Sequence, residues 1–337
     1  MPIAMSHTRP LGAVRWILCA ALALTLLAPS TPTLADGTLR LAVLKFGTLS
    51  WEADVIRHNG FDRAEGFSLE PSAFAGPQAT LVALMGGNAD IAVTDWIWVS
   101  RQRDAGRPYS FVPYSTAIGA LMVPGGSDIG SLADLAGHRI GVAGGPLDKN
   151  WLLLRALARQ RSGLDLANQV EPVYGAPPLL NAQIQQDRLD AVITHWPYAA
   201  RLSAIGYRPL MDAREAMSEL GIQAEVPMIG YVFNEDWAKS HRETTDGFFR
   251  AVARAKSRLA ESDAEWERLR PLMRAKDEAT FIALREGYRA GIPKGWGAEE
   301  RVAAERLFEI LRATGGSALV GHSERLAPGT FWDGTPD

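Results

Sequence analysis

Asp95 and His195 are the ionisable residues whose placement says most about chemistry. They sit in two near copies, Thr94-Asp95-Trp96-Ile97-Trp98 and Thr194-His195-Trp196-Pro197-Tyr198, set 100 residues apart. A carboxylate at this point can accept from an amine or ring nitrogen, and an imidazole can donate or accept according to its tautomer. A position that differs between otherwise similar copies is freed from common scaffolding, so ligand choice is expected here. Asp95 also suits a plain helix N-cap. Trp96 and Trp196 beside them offer flat apolar area for a cleft, with Trp98 and Tyr198 expected to face their own halves. A Trp after a strand can equally plug the layer between helix and sheet, and the matched pairs Trp51/Trp151 and Trp96/Trp196 could share that structural role. Lys45 and Lys149 could neutralise an anion, while Glu52 and Asp148 argue against a strongly positive site.

Other chemistry lacks residues to carry it. No His-x-x-x-His, Gly-x-Ser-x-Gly or P-loop pattern occurs. Of the six histidines, His7, His58, His138, His241 and His322 are scattered, and a lone His195 is poor support for a metal. No cofactor and no metal is expected. The apolar fraction of 47% is that of a globular protein, and the mildly acidic balance without a basic stripe excludes a nucleic-acid binder.

The elements that must position these residues repeat. Phe74 to Arg101 lies without a gap over Tyr174 to Arg201, matching Pro77 with Pro177, Asp90 with Asp190 and Arg101 with Arg201. With one residue of slip, Arg40-Leu41-Ala42-Val43 answers Arg139-Ile140-Gly141-Val142. Each copy reads as strand, helix, strand, helix, strand, which predicts parallel pairing with right-handed crossovers. Strands are expected at 39–44, 68–74 and 91–94, then at 138–143, 170–174 and 191–194. Helices follow at 51–58, from Pro77 and 95–105, then at 151–157 and from Pro177. Extended runs at 109–116, 120–123 and 226–233 carry the chain between halves. Helices over 245–259, 264–273, 278–289 and 298–311, followed by a loop-like tail after Gly315, are expected to pack on the first half.

The fold class expected is therefore α/β: two similar lobes, each with a mainly parallel sheet flanked by helices, and a helical C-terminal part on lobe one. Lobe one takes 36–117 and 232–337 and lobe two 118–231, with a two-segment hinge near 115–120 and 226–233. In such sheets ligands sit off the carboxyl ends of the strands, where helix N-termini donate N–H groups. That rule selects Lys45, Phe46, Gly47, Thr48, Gly76, Pro77, Gln78, Asp95 and Trp96 from lobe one. Thr116 comes from the hinge, and Gly144, Gly145, Asp148, Asn150, Trp151, His195 and Trp196 from lobe two. The aromatic content favours a small nitrogen-containing or aromatic organic solute over an inorganic anion.

The first 35 residues read as an export signal. Arg9 and Arg15 precede the apolar run Trp16 to Leu27, and Thr33-Leu34-Ala35 supplies the small residues of a cleavage site. Cys19, the only cysteine, follows Ile17 and Leu18 instead of small residues, so no lipid anchor is expected. Removing two arginines from 35 basic residues leaves 33 against 38 acidic ones, a net charge near −5, with no thiol for a disulfide or nucleophile.

Leu39-Arg40-Leu41, Gly76-Pro77-Gln78, Gly87-Asn88-Ala89-Asp90-Ile91, Ser131-Leu132-Ala133-Asp134-Leu135-Ala136-Gly137-His138-Arg139-Ile140 and Leu189-Asp190-Ala191 with Pro197-Tyr198 occur in that order. Their combination resembles the periplasmic solute-binding proteins of nitrate/sulfonate/taurine-type ABC importers, which include a binding protein for a thiamine pyrimidine precursor. The resemblance covers most of residues 38 to 240. It implies the type II periplasmic binding fold, a monomer in the periplasm, and a small solute held in the interlobe cleft. That solute would be a sulfonate, a taurine-like compound, or a nitrogen heterocycle or amine. It also implies delivery to an inner-membrane permease with its ATPase. A module feeding a sensor is an alternative. Enzymes on the same fold are a further one: pyrimidine-precursor synthases carry a cysteine-rich motif missing here, and menaquinone-pathway dehydratases work in the cytoplasm.

Overall fold

A computed structural model describes Met1 and residues 37–334. The expected export signal lies outside the described residues. Among those described, no helix is long and apolar enough to cross a membrane.

The chain opens with β1 (Gly37–Leu44), whose Leu39, Leu41, Ala42 and Val43 are buried as a two-faced strand requires. Next come α1 (Leu49–His58), α2 (Phe61–Ala64), β2 (Phe67–Phe74), α3 (Pro77–Met85), β3 (Ile91–Asp95) and α4 (Trp96–Asp104). After β4 (Tyr109–Ser115) the chain enters β5 (Gly119–Val123), then β6 (Arg139–Ala143), α5 (Lys149–Ser162), α6 (Leu166–Gln169), β7 (Glu171–Gly175), α7 (Pro177–Ile184), β8 (Ala191–His195) and α8 (Trp196–Ser203). It continues through β9 (Arg208–Asp212), α9 (Ala213–Glu219), β10 (Ile229–Asn234), α10 (Glu235–Ser240), α11 (Arg242–Glu261), α12 (Asp263–Met273), α13 (Glu278–Ala290) and α14 (Ala298–Val320).

Two five-stranded sheets result, β2-β1-β3-β10-β4 and β7-β6-β8-β5-β9. The pairs β1/β2, β1/β3, β6/β7 and β6/β8 are parallel, as the repeat predicts. One strand in each sheet is antiparallel: β10 runs against β3 and β4, and β5 against β8 and β9. These are the strands through which the chain crosses, leaving the first sheet after Ser115 and rejoining it at Ile229.

Three expectations are corrected. The C-terminal helices do not all pack on the first half: α14 buries Leu307, Phe308 and Leu311 in one cluster with Trp151, Leu152 and Leu157 of α5 in the second. Strand β9 and helix α9 lie where no element was anticipated, because Arg208-Pro209 does not read as strand. The long C-terminal helix does break at Gly316, whose φ of 61° is not helical, but a second helical segment then runs to Val320 where a loop-like tail was expected. The segment beyond is not a loose tail either. Phe331 bridges to Phe111, and Trp332 packs at 5.5 Å from the Phe233 ring with 8% exposure.

At the ends of the sheets away from the loops, the repeat is literal. The Arg40 amide donates to Asp90 Oδ2 at 2.8 Å, and the Arg139 amide donates to Asp190 Oδ2 at 2.8 Å. The return bonds, from the Asp90 amide to Arg40 O and from the Asp190 amide to Arg139 O, are 2.8 and 2.9 Å.

Candidate functional site

The loops off the carboxyl ends of β3, β6 and β8 bring Asp95, Gly144, Asp148, Lys149, Asn150 and His195 together. Asp95 caps α4, its Oδ1 accepting the Trp98 amide at 3.0 Å. Its Oδ2 accepts from Lys149 Nζ at 2.7 Å, a pair that joins the first sheet's β3 to the first turn of α5. Asp148 caps α5 through the Trp151 amide at 3.1 Å, and its second oxygen stands 3.7 Å from His195 Nε2. Gly144 and Gly145 make the turn between β6 and α5 at φ of 86° and 106°, which side-chain-bearing residues rarely adopt. Burial draws the Lys149 ammonium's pKa down, but the Asp95 carboxylate and then Asp148 outweigh it, and the net shift is upward.

Beneath these groups lie polar atoms that are buried and have no partner among the described residues: Thr116 Oγ1, Asn150 Oδ1 and Thr194 Oγ1. Their residues are 6%, 4% and 0% exposed. Gly119 lets the chain pass close to both Asn150 and Thr194: an added Cβ would lie 3.2 Å from Asn150 Nδ2 and 2.2 Å from the Thr194 backbone oxygen. Buried polar groups are nearly always hydrogen-bonded, so each of these atoms is open to a partner.

The β1 loop forms another edge. Lys45 and Phe46 are exposed, with Lys45 Nζ 5.7 Å and the Arg274 guanidinium 4.5 Å from the Phe46 ring centroid. Gly47 closes a tight turn onto Leu44 O at 2.9 Å. Thr48 is buried, its hydroxyl 2.9 Å from the Tyr114 hydroxyl. Behind it lies a network that the sequence did not disclose. Glu52, 1% exposed, accepts from Lys256 Nζ and the Tyr288 hydroxyl, each at 2.8 Å, and from the Tyr231 hydroxyl. Lys256 also donates to Tyr114 O at 2.9 Å. Burial, then the Glu52 charge, pushes the Tyr114, Tyr231 and Tyr288 hydroxyls well up, so they stay protonated. Glu52 is thus neutralised by Lys256 and does not weigh against an anion, contrary to the expectation from its position. Gly76, Pro77 and Gln78 form the start of α3, which has no side-chain cap.

The expected tryptophan walls are revised. Trp96 is 0% exposed, its indole N–H donating to Pro227 O at 3.1 Å, and Trp151 is 1% exposed. Both are core residues in this structure and offer a solute no surface. Trp196 is half-buried and reaches across to the first half. Its ring lies edge-on to Trp51 at 6.2 Å and rests on Gly287 of α13, where a Cβ would come within 2.8 Å. Trp98 faces its own half, 5.1 Å from Tyr109. His195, at the N-cap of α8, makes no side-chain cap bond.

Residues 55–265 match the family model described as NMT1/THI5 like. A protein of Escherichia coli K12 named as an aliphatic sulfonates-binding protein is 34% identical over 145 residues, 42% of this chain and 44% of that protein, so the match spans under half of the relative's length. Among solved structures, the alkanesulfonate-binding protein SsuA from Xanthomonas axonopodis pv. citri, bound to MOPS, superposes with a TM-score of 0.67 at 19% identity, covering 88% of this chain and 98% of that one. The periplasmic aliphatic sulphonate binding protein SsuA from Escherichia coli gives 0.67 at 20% identity, over 88% and 97%. The desulfurization enzyme DSZB gives 0.57 at 16% identity, over 83% and 92%. At these identities the structures show the fold, which is the two-lobed α/β architecture expected.

Proposed function

The chain belongs to the NMT1/THI5-like family, and on that premise we propose that it is the solute-binding component of an ABC importer. It takes a small organosulfonate into the cleft between its lobes without turning it over. In this reading residues 1–35 are removed on export to the periplasm, where the mature chain acts as a monomer and delivers the solute to a permease and its ATPase. The lobes divide near residue 117/118 and, because β10 already belongs to the first sheet from Ile229, just before Ile229 instead of at the expected 231/232, and the two crossing segments act as the hinge.

The observation that carries the reading is the set of buried, unpartnered polar atoms Thr116 Oγ1, Asn150 Oδ1 and Thr194 Oγ1, carried by the segment that crosses from the first sheet and by the strand-end loops of the second. A hydroxyl can donate or accept, and a primary amide offers both functions, so the cluster suits a polar head held by hydrogen bonds. Helix capping indicates the side on which an anionic head sits. Asp148 caps α5 with a carboxylate that repels an anion, and Asp95, which caps α4, is already paired with Lys149. The starts of α1 and α3 carry no side-chain cap, leaving N–H groups near Thr48 and Gln78 as donors at the positive ends of their helices, whereas at the start of α8 the Trp196 N–H is taken by Ile118 O and Pro197 has none. The names of the relatives favour a sulfonate as that head. The Phe46 ring and the exposed part of Trp196 would meet its organic tail.

Native mass spectrometry of the purified protein with an alkanesulfonate panel tests this. The expected result is one adduct per chain, with the solute recovered at its original mass after long incubation. Conversion of the solute would replace binding with catalysis, and no adduct with any sulfonate would remove the proposed class.

A further inference from the structure

The Asp95–Lys149 pair does something other than hold a solute. Asp95 ends β3 in the first sheet and Lys149 opens α5 beside the second, so their 2.7 Å contact spans the two lobes. Both groups are largely withdrawn from water, with side chains 16% and 26% exposed, where attraction is screened less than at a surface. Neither has a second partner of opposite charge within ion-pair distance among the described residues. The other Asp95 oxygen is committed to the α4 cap, which fixes the carboxylate in the orientation that meets Lys149. Asp148, one residue away on α5, turns its free oxygen to His195 within its own lobe and makes no such crossing.

We propose that Asp95 and Lys149 form a clasp across the cleft, positioning residues whose ion pair holds the lobes closed whatever the charge of the solute. The clasp rests on the two-lobe reading above, but not on the identity of the solute. It accounts for a lysine and a carboxylate facing each other across the cleft: each is the other's ligand. Its consequence for binding is a shared load. The solute completes the Thr116, Asn150 and Thr194 cluster, and the protein supplies the ionic contact that closes the lobes.

The test is the distance between spin labels at Met85→Cys and Gln185→Cys, the exposed ends of α3 and α7, in a Cys19→Ser background, by pulsed dipolar spectroscopy without solute. Asp95→Asn keeps an N-capping side chain while removing the charge, and Lys149→Met keeps the length of the stem. Each is expected to add a longer-distance population to the distribution, and Asp148→Asn to leave the distribution as it was. A distribution unchanged in both Asp95→Asn and Lys149→Met overturns the clasp. Because no solute is present, failure to bind organosulfonates leaves this result standing, and loss of the clasp leaves the binding result standing.

Discussion

Asp90 and Asp190 occupy the same place in the two sheets, and each accepts the backbone amide of its arginine at 2.8 Å. Their side chains then part company. Asp90 is 4% exposed and takes Arg40 Nε at 3.1 Å and Nη2 at 2.5 Å, whereas Asp190 is 45% exposed and lies 3.2 Å from His138 Nδ1. The divergence widens at the loop ends. Asp95 caps its helix and crosses to Lys149, while His195 leaves its helix uncapped. Trp96 disappears into the core, while Trp196 reaches out to Trp51 and Gly287. Arg101 donates to Leu319 O at the end of α14, and Arg201 to Met273 O and Arg274 O at the end of α12, a contact that crosses between the lobes. What the halves share is backbone scaffolding. Where they differ at the loop ends, one copy stays within its lobe and the other joins the lobes or faces the cleft.

The largest effect expected from this contrast lies in the tryptophans. Trp96→Ala empties a fully buried site and is expected to cost about 3–5 kcal/mol of stability in urea unfolding. Trp196→Ala removes a half-buried ring and is expected to cost less, while lengthening the interlobe distance. Equal losses would mean that the two rings do the same job. Next, Asp90→Asn weakens a bidentate pair whose carboxylate is buried but whose guanidinium is 42% exposed, and is expected to cost about 1.5–3 kcal/mol, against less than about 1 kcal/mol for Asp190→Asn at its exposed counterpart. The same unfolding assay compares them.

The smallest effect is one of pH. The Lys149 pKa is raised, so the stabilisation it gives is fully present below the ordinary lysine range and is lost only as pH rises through its folded value. The interlobe distance should therefore stay constant from about pH 6 to about pH 9 and lengthen only in stronger alkali. A lengthening anywhere between about pH 6 and about pH 9 would contradict Lys149 as the group that holds the lobes.

Much of the scaffold was legible in the sequence because it depends on local pattern. Apolar runs such as Leu39 to Leu44, the Pro77 and Pro177 helix starts, and the Arg40/Arg139 and Asp90/Asp190 echoes all act within one half. Strand direction was not legible for β5 and β10, since residue pattern fixes which segments are strands but not which way a crossing strand is threaded. The exposure of a tryptophan was not legible either. Trp96 and Trp196 share a neighbourhood in sequence, and only the Pro227 carbonyl and the bare Gly287 surface separate their fates. Lys149 was visible as a charge near the site, but its partner lies 54 residues away on another sheet. The Glu52–Lys256 pair, 204 residues apart, was hidden for the same reason.

Calorimetric titration of the protein with a short alkanesulfonate tests the central claim most directly. The expected result is one solute per chain, with affinity reduced about tenfold or more, about 1.4 kcal/mol, in Thr116→Val and retained in Trp96→Phe. Binding indifferent to Thr116, or no heat with any organosulfonate, would contradict it.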